Sequence, residues 1–419
     1  MSRRVSATLA AVAIACFLGC WALVHLGTFG RSEISDTAVY EQYRTDVASG
    51  QIPYRDFQVE YPPAALPVFM LPSSGKRGAA DPYPHRFDRL MALCGCLALL
   101  GTALCLRRLG ADLPRSAAAL GLAAVSPVLL GPEVFSRFDF WPTALTVLAL
   151  AAVLWDRLTW SFVLLGTAIA AKLWPLALAP LAFVYVWRTR GPRTARRWAT
   201  GLLAVDAVWF LPFAVLSPGG IAHVFANEFR RPLQIESLGG ALLIAVHHVT
   251  GSTLHTVSSF GSQNLSGPAV GAVEFATGVL SALALVGVWA AFVRGSTSPQ
   301  RLATYAAAAS AVVIAFGKVF SPQYLIWLIP LVPLVRGRRG IAASALFAAS
   351  LVLTQTWFPR HYWELALDFD ATRSWLLLAR DLVVVALAGV LAWPRLEHEL
   401  LGEHRARVEA LQRVRTQVQ

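Results

Sequence analysis

The residues with the most chemical capacity gather in one stretch near the start of the chain. It reads Ser35-Asp36-Thr37-Ala38-Val39-Tyr40, then Gly50-Gln51-Ile52-Pro53-Tyr54-Arg55-Asp56-Phe57, then Glu60-Tyr61-Pro62-Pro63. Asp36 comes a few residues after a long apolar run, which places its carboxylate at the level of a membrane surface. A carboxylate held there between apolar walls suits a general base acting on a hydroxyl. Asp36 is also a good N-cap for a helix beginning at residue 37, and spacing leaves both readings open. Glu60 is a second acid, a partner that orients Asp36, or simply a polar residue in a turn before Pro62-Pro63.

Other candidates are scattered along the chain. Gln234, Glu236, Gln263, Asn264, Gln323 and Tyr324 supply amides, a carboxylate and a phenol able to hydrogen-bond a polar ligand, although turns use the same residue types. Lys172, Lys318, Arg230 and Arg231 lie at or near the edges of apolar runs, where an ionisable group is costly and functional by default. Lys172 has snorkelling as its bland alternative, and Arg230 and Arg231 have lipid headgroups. Arg137 and Asp139 flank the start of an apolar run and are expected to pair with each other. Arg380 and Asp381 lie within a span and read as a buried pair, whereas Asp206 has no evident partner. His247, His248 and His255 are spaced unlike a metal set. The five cysteines fall inside apolar runs and read as packing residues, so no metal is expected.

The elements that must position these residues are membrane spans. The chain of 419 residues is 56% apolar and 14% charged, with a mean hydropathy of +0.55, far from the roughly one quarter charged of a soluble protein. Apolar runs fall near 5–28, 87–106, 115–131, 138–155, 158–171, 173–187, 198–216, 269–293, 302–317, 322–335, 340–358 and 374–394, about twelve spans in an all-α bundle. The opening Ser2-Arg3-Arg4 and the run after it are expected to remain as the first span. Pro62 to Leu71 and Leu238 to Val249 are too short to cross and are expected to be interfacial or re-entrant segments on the outer side.

The net charge of +12 does not point to nucleic acid, because the arginines sit between apolar runs and not on one soluble face. With Arg3 and Arg4 in the cytoplasm, every second connection is basic: 107–115, Arg157, 188–197, 294–301 and 336–339. Both termini are then cytoplasmic, and most acids fall on the outer side, in loops near 29–86 and 217–268. Residues 1–394 form the bundle. The segment 395–419 is a basic cytoplasmic tail in which Leu396, Leu400, Val408 and Leu411 suggest a short amphipathic helix, or a solvated tail. No glycine-rich phosphate loop follows a strand.

Asp-x-x-Val-Tyr after the first helix, Pro-Tyr-x-Asp-Phe and Glu-Tyr-Pro-Pro resemble the membrane glycosyltransferases of the GT-C class. More narrowly, they are similar to glycosyltransferase family 87, the polyprenol-phosphate-mannose-dependent mannosyltransferases. Ala171-Lys172-Leu173-Trp174-Pro175, Arg231-Pro232-Leu233-Gln234-Ile235-Glu236-Ser237 and Ser321-Pro322-Gln323-Tyr324-Leu325 are similar to runs recurring there, in order up to about residue 335. The resemblance implies a GT-C bundle with interfacial helices in the first outer loop. It implies Asp36 as catalytic base, removing the acceptor's proton as the hydroxyl displaces a lipid phosphate with inversion. Such a reaction needs cations at the departing phosphate, for which Lys172, Arg230, Arg231 and Lys318 are the candidates and Lys172 the best single one. Gln234, Glu236, Gln323 and Tyr324 are the sugar or acceptor contacts, and Glu60 the possible second acid.

The expected partners are a polyprenyl-phosphate sugar, most simply mannose, and an outer-leaflet glycolipid or lipoglycan. Membrane lipids surround the chain, which is expected to need no cofactor and no nucleic acid and to act as a monomer in the plasma membrane. Other sugars, arabinose among them, fit the same class. The rival of another class is a transporter or flippase of a lipid-linked sugar, with ionisable residues lining a pathway. The two halves show no clear similarity and no matched broken helices, and charge concentrates in outer loops, which favours an enzyme. A non-catalytic membrane subunit is the remaining alternative.

Overall fold

The computed structural model describes residues 2–25, 34–72 and 83–393. The remainder of the first loop and the predicted amphipathic tail lie outside the described residues. The chain starts with α1 (Arg3–His25), α2 (Thr37–Ala48), α3 (Leu66–Met70) and α4 (Tyr83–Arg108). It continues through α5 (Leu113–Leu130), the single turn α6 (Glu133–Ser136), α7 (Phe140–Leu154), α8 (Leu158–Ala171), α9 (Ala179–Arg190) and α10 (Pro192–Leu216). Then come α11 (Pro218–Arg230), α12 (Leu238–Thr250), a hairpin of β1 (His255–Ser259) and β2 (Ser262–Ser266), and α13 (Val270–Arg294). The last helices are α14 (Pro299–Phe316), α15 (Gly337–Trp357), α16 (Tyr362–Asp368) and α17 (Ala371–Ala392).

Among the described residues, seven helices are long and apolar enough to cross a membrane: α1, α4, α5, α10, α13, α15 and α17. Shorter apolar helices, α7 and α8 among them, pack between these. α14 is buried along nearly its whole length from Arg301 to Ala315. Its run of alanines, 306–309, lets neighbouring backbones approach closely. α10 is the opposite case, with Val208 and Val215 72% and 73% exposed. A bundle whose core is alanine-rich and whose exterior is apolar is built for lipid.

Prolines decide where the helical register breaks. The stretch 322–335, expected as one span, is not an α-helix but two 3₁₀ segments, Pro322–Leu328 and Val332–Leu334. Pro322, Pro330 and Pro333 remove the donors a regular helix needs there. The stretch expected at 173–187 likewise starts as 3₁₀ over Trp174–Leu178 before becoming α9. The two segments thought too short to cross are short: α3 has five residues and α12 thirteen.

The hairpin was not anticipated from the hydrophobic pattern. Its turn, Phe260-Gly261, has φ of 52° and 65°, the paired positive angles that match the twist of a two-residue hairpin. Residues 233–235 run alongside β2, with Leu265 N–H donating to Leu233 O at 2.9 Å and Ile235 N–H to Gln263 O at 3.1 Å. The loop that carries Gln234 and Glu236 is thereby held straight.

Candidate active site

Asp36 occupies the N-cap position of α2 with helical backbone angles, and its side chain makes no capping hydrogen bond. Ser35 supplies that contact instead, its Oγ accepting from Thr37 N–H at 3.2 Å. The Asp36 carboxylate turns away from the helix and forms an ion pair with Arg137. Tyr40, one turn on, donates its hydroxyl to Asp36 Oδ2 at 3.3 Å. Geometry therefore removes the capping role and leaves a carboxylate oriented by a guanidinium and a phenol.

An aromatic cluster holds this arrangement. Tyr40 stacks on Phe69 at 4.3 Å, and Phe138, next to Arg137, meets Tyr61 at 4.7 Å and Phe69 at 5.3 Å. These contacts press α2, α3 and the start of α7 together, so Asp36 and Arg137 meet although about a hundred residues separate them. Tyr54 braces the loop between α2 and α3 by donating its hydroxyl to Tyr61 O at 2.7 Å.

Arg137 and Asp139 do not pair with each other, contrary to the expectation from their spacing. Arg137 is extended and Asp139 already helical, so their side chains leave in different directions. Asp139, 1% exposed, takes Lys172 Nζ at 2.6 Å and Trp327 Nε1–H at 2.6 Å. Lys172 lies at the C-terminal end of α8, with its ammonium 5.0 Å from the ring centres of Phe138 and Tyr324. The charge of Lys172 is thus largely compensated within the protein.

Around these groups opens a cavity of about 240 Å³. Asp36, Glu60, Lys172, Arg231, Gln234, Glu236, Gln323 and Tyr324 all line it. Arg230 and Lys318 do not. Arg230 is exposed at the end of α11, and Lys318 pairs with Glu274 at 3.0 Å and donates to Phe229 O at 2.8 Å. Gln263 and Asn264 belong to the hairpin, whose tip, Phe260-Gly261, borders the cavity. A Cβ on Gly261 would lie 3.5 Å from the Glu60 carboxylate, so the tip covers that acid closely.

Gln234 is fully occupied as a tie. Its amide donates to Glu236 and, at 3.0 Å, to Ser321 Oγ, while its carbonyl accepts from Phe320 N–H at 2.8 Å. Glu236 is buried, and burial pushes its carboxyl up to about 8 against the pull of Arg380, Arg137 and Arg231. Arg380, which pairs with Asp381 at 2.8 Å inside the bundle, donates to Glu236 O at 2.8 Å. Arg231 forms no ion pair among the described residues and faces the cavity beside Glu60 and Glu228. Asp206 lies on α10, its Oδ1 without a hydrogen-bond partner among the described residues. No group of three or more His, Cys, Asp and Glu side chains set to hold a metal occurs among the described residues.

Sequence reasoning missed Arg137 as a site residue, Tyr61, Glu228 and Tyr362 as further lining groups, and Tyr40 as the buried phenol that holds Asp36. Tyr40 had a legible signal, because it stands four residues after Asp36 on one helix face. Chemically, the cavity sets a carboxylate, a guanidinium and a buried acid around a space fit for a polar ligand. No protein-family model matches the chain, and no curated protein matches its sequence.

Proposed function

We propose that the chain is an inverting membrane glycosyltransferase of the GT-C type. In this reading it moves a sugar, most simply mannose, from a polyprenyl phosphate to an outer-leaflet glycolipid or lipoglycan. The observation that carries the reading is the convergence on one cavity of Asp36, Glu60, Lys172, Arg231, Gln234, Glu236, Gln323 and Tyr324, residues singled out from separate motifs spread over nearly three hundred positions. In this reading the bundle has about twelve spans, with the 3₁₀ stretches at 174–178 and 322–334 each contributing to a crossing. The cavity lies where α1 and α8 end and α7 begins, while the arginine-rich connections lie at the other ends of those helices. That separation fits an outer-face site under the positive-inside rule.

In this mechanism Asp36 takes the proton of the acceptor hydroxyl as its oxygen attacks the anomeric carbon. The bond from that carbon to the lipid phosphate breaks on the opposite side, so configuration inverts. Arg137 aims the Asp36 carboxylate, and Tyr40 fixes its second contact. As the C–O bond breaks, the monoanionic phosphodiester becomes a dianionic phosphate monoester, and the one developing charge is stabilised by Arg231, which lines the cavity and forms no ion pair among the described residues. Lys172, committed to Asp139, acts as the fixed wall of the site. Glu236, whose carboxyl burial pushes up to about 8, faces the cavity as a hydrogen-bonding group for a sugar oxygen.

The test is transfer of label from radiolabelled polyprenyl-phosphate-mannose to envelope acceptors by membranes containing the protein, run beside sealed vesicles that report movement of the same lipid across the bilayer. Labelled product with release of polyprenyl phosphate is the expected result. Movement of the lipid without product would replace the transferase with a flippase.

A further inference from the structure

At the end of the bundle away from Asp36, a second cavity of about 440 Å³ opens on the outside. Its apolar walls are leucines and alanines from the C-terminal parts of α4 and α7 and the first half of α8. Arg3, Arg107 and Arg157 line the same cavity, brought together from the start of α1, the end of α4 and the turn between α7 and α8. None of the three ion-pairs with a carboxylate among the described residues. The nearest acid in sequence, Asp156, is taken by Arg190 at 2.7 Å. Arg107 lies over the Trp155 ring at 5.2 Å, and Trp160 beside it is 63% exposed, the tryptophan placement of a bilayer interface.

An apolar groove ending in three uncompensated guanidinium groups matches one ligand at both ends. A soluble anion would leave the groove empty, and a zwitterionic lipid brings no net charge to the arginines. Basic pockets between spans on the cytoplasmic side hold acidic headgroups for this reason. We infer that this groove is a binding site for an anionic phospholipid, its phosphate held by Arg3, Arg107 and Arg157 and an acyl chain laid along α4 and α8 against Trp160. The site is separate from the Asp36 cavity and does not depend on sugar transfer.

The test is native mass spectrometry of the full chain released from detergent with equal amounts of phosphatidylglycerol and phosphatidylcholine of matched chains. Wild type retains phosphatidylglycerol preferentially, and sn-glycerol 3-phosphate does not displace it. The preference drops roughly fivefold for each arginine removed and roughly 25-fold in R107Q/R157Q. R3Q, altered in the first turn of α1, gives the single fivefold step should the double variant not fold. R193Q/R196Q, at the basic start of α10 outside the groove, keeps the wild-type preference. Equal retention of both lipids by wild type would overturn the site. So would an unchanged preference in R3Q and R107Q/R157Q, an equal loss in R193Q/R196Q, or displacement by glycerol phosphate alone.

Discussion

The two ends of this bundle carry positive charge in opposite ways. At the Asp36 end, Arg137, Lys172 and Lys318 each have a carboxylate, supplied by Asp36, Asp139 and Glu274 respectively. At the other end Arg3, Arg107 and Arg157 face an apolar groove with no carboxylate partner among the described residues. Paired charges buried in protein hold a fixed geometry, and removing one partner strands the other. Unpaired charges at a membrane surface find their counter-ions outside the protein. The first arrangement suits chemistry and the second suits attachment. Within the site the same logic separates Lys172, spent on Asp139, from Arg231, which faces the cavity with no ion pair among the described residues.

The largest effect expected from this contrast is on stability. D139A strands the Lys172 ammonium and the Trp327 N–H in the core and should cost about 3–5 kcal/mol, seen as a lower thermal midpoint in detergent. D139L/K172M, which removes both charges, should recover much of that loss. A D139A protein as stable as wild type would break the distinction between structural and free charge.

The second expectation concerns Glu236, whose folded-state carboxyl is pushed up to about 8 from an ordinary value near 4.3. The folded chain therefore binds this proton more tightly than the unfolded chain. Its contribution to stability is complete below about pH 4.3 and is lost as pH rises through about 8. In E236Q the group cannot titrate, so the difference in thermal midpoint between E236Q and wild type should shift in the variant's favour from pH 5 to pH 8. Parallel profiles would show that Glu236 is ionised in the folded protein.

A smaller effect follows for the free cation. R231M should weaken donor binding by roughly 10- to 100-fold, the worth of one charge-assisted hydrogen bond, measured as the concentration of lipid donor giving half-maximal transfer. Smallest of all, R157Q should leave the unfolding free energy within about 0.5 kcal/mol of wild type, because its charge has no ion-pair partner among the described residues to strand. A loss comparable to that of D139A would erase the difference between the two ends.

The sequence made the helices legible wherever hydrophobic length decided the outcome. The run 158–171 is α8 to the residue, because nothing in it competes with the helical pattern. It failed where proline overrode hydropathy, in 322–335, and where turn chemistry did the work, in the hairpin around Phe260-Gly261. The lining of the site was legible because polar residues at the edges of apolar runs are costly and few. The pairing among them was not. Arg137 looked like a partner for Asp139 two positions away, yet local backbone direction sent it to Asp36 across the bundle. Long-range partners of this kind are set by packing, here by Tyr40, Phe69 and Phe138, and no local spacing encodes them.

The most direct test of the central claim is single-turnover sugar transfer by D36N compared with wild type, at donor concentrations that saturate both and with matched thermal midpoints. Loss of a general base predicts a rate lower by roughly 10²- to 10⁴-fold, with donor binding retained. Transfer by D36N at the wild-type rate would contradict the account, leaving Asp36 as a structural partner of Arg137 and placing the chemistry elsewhere.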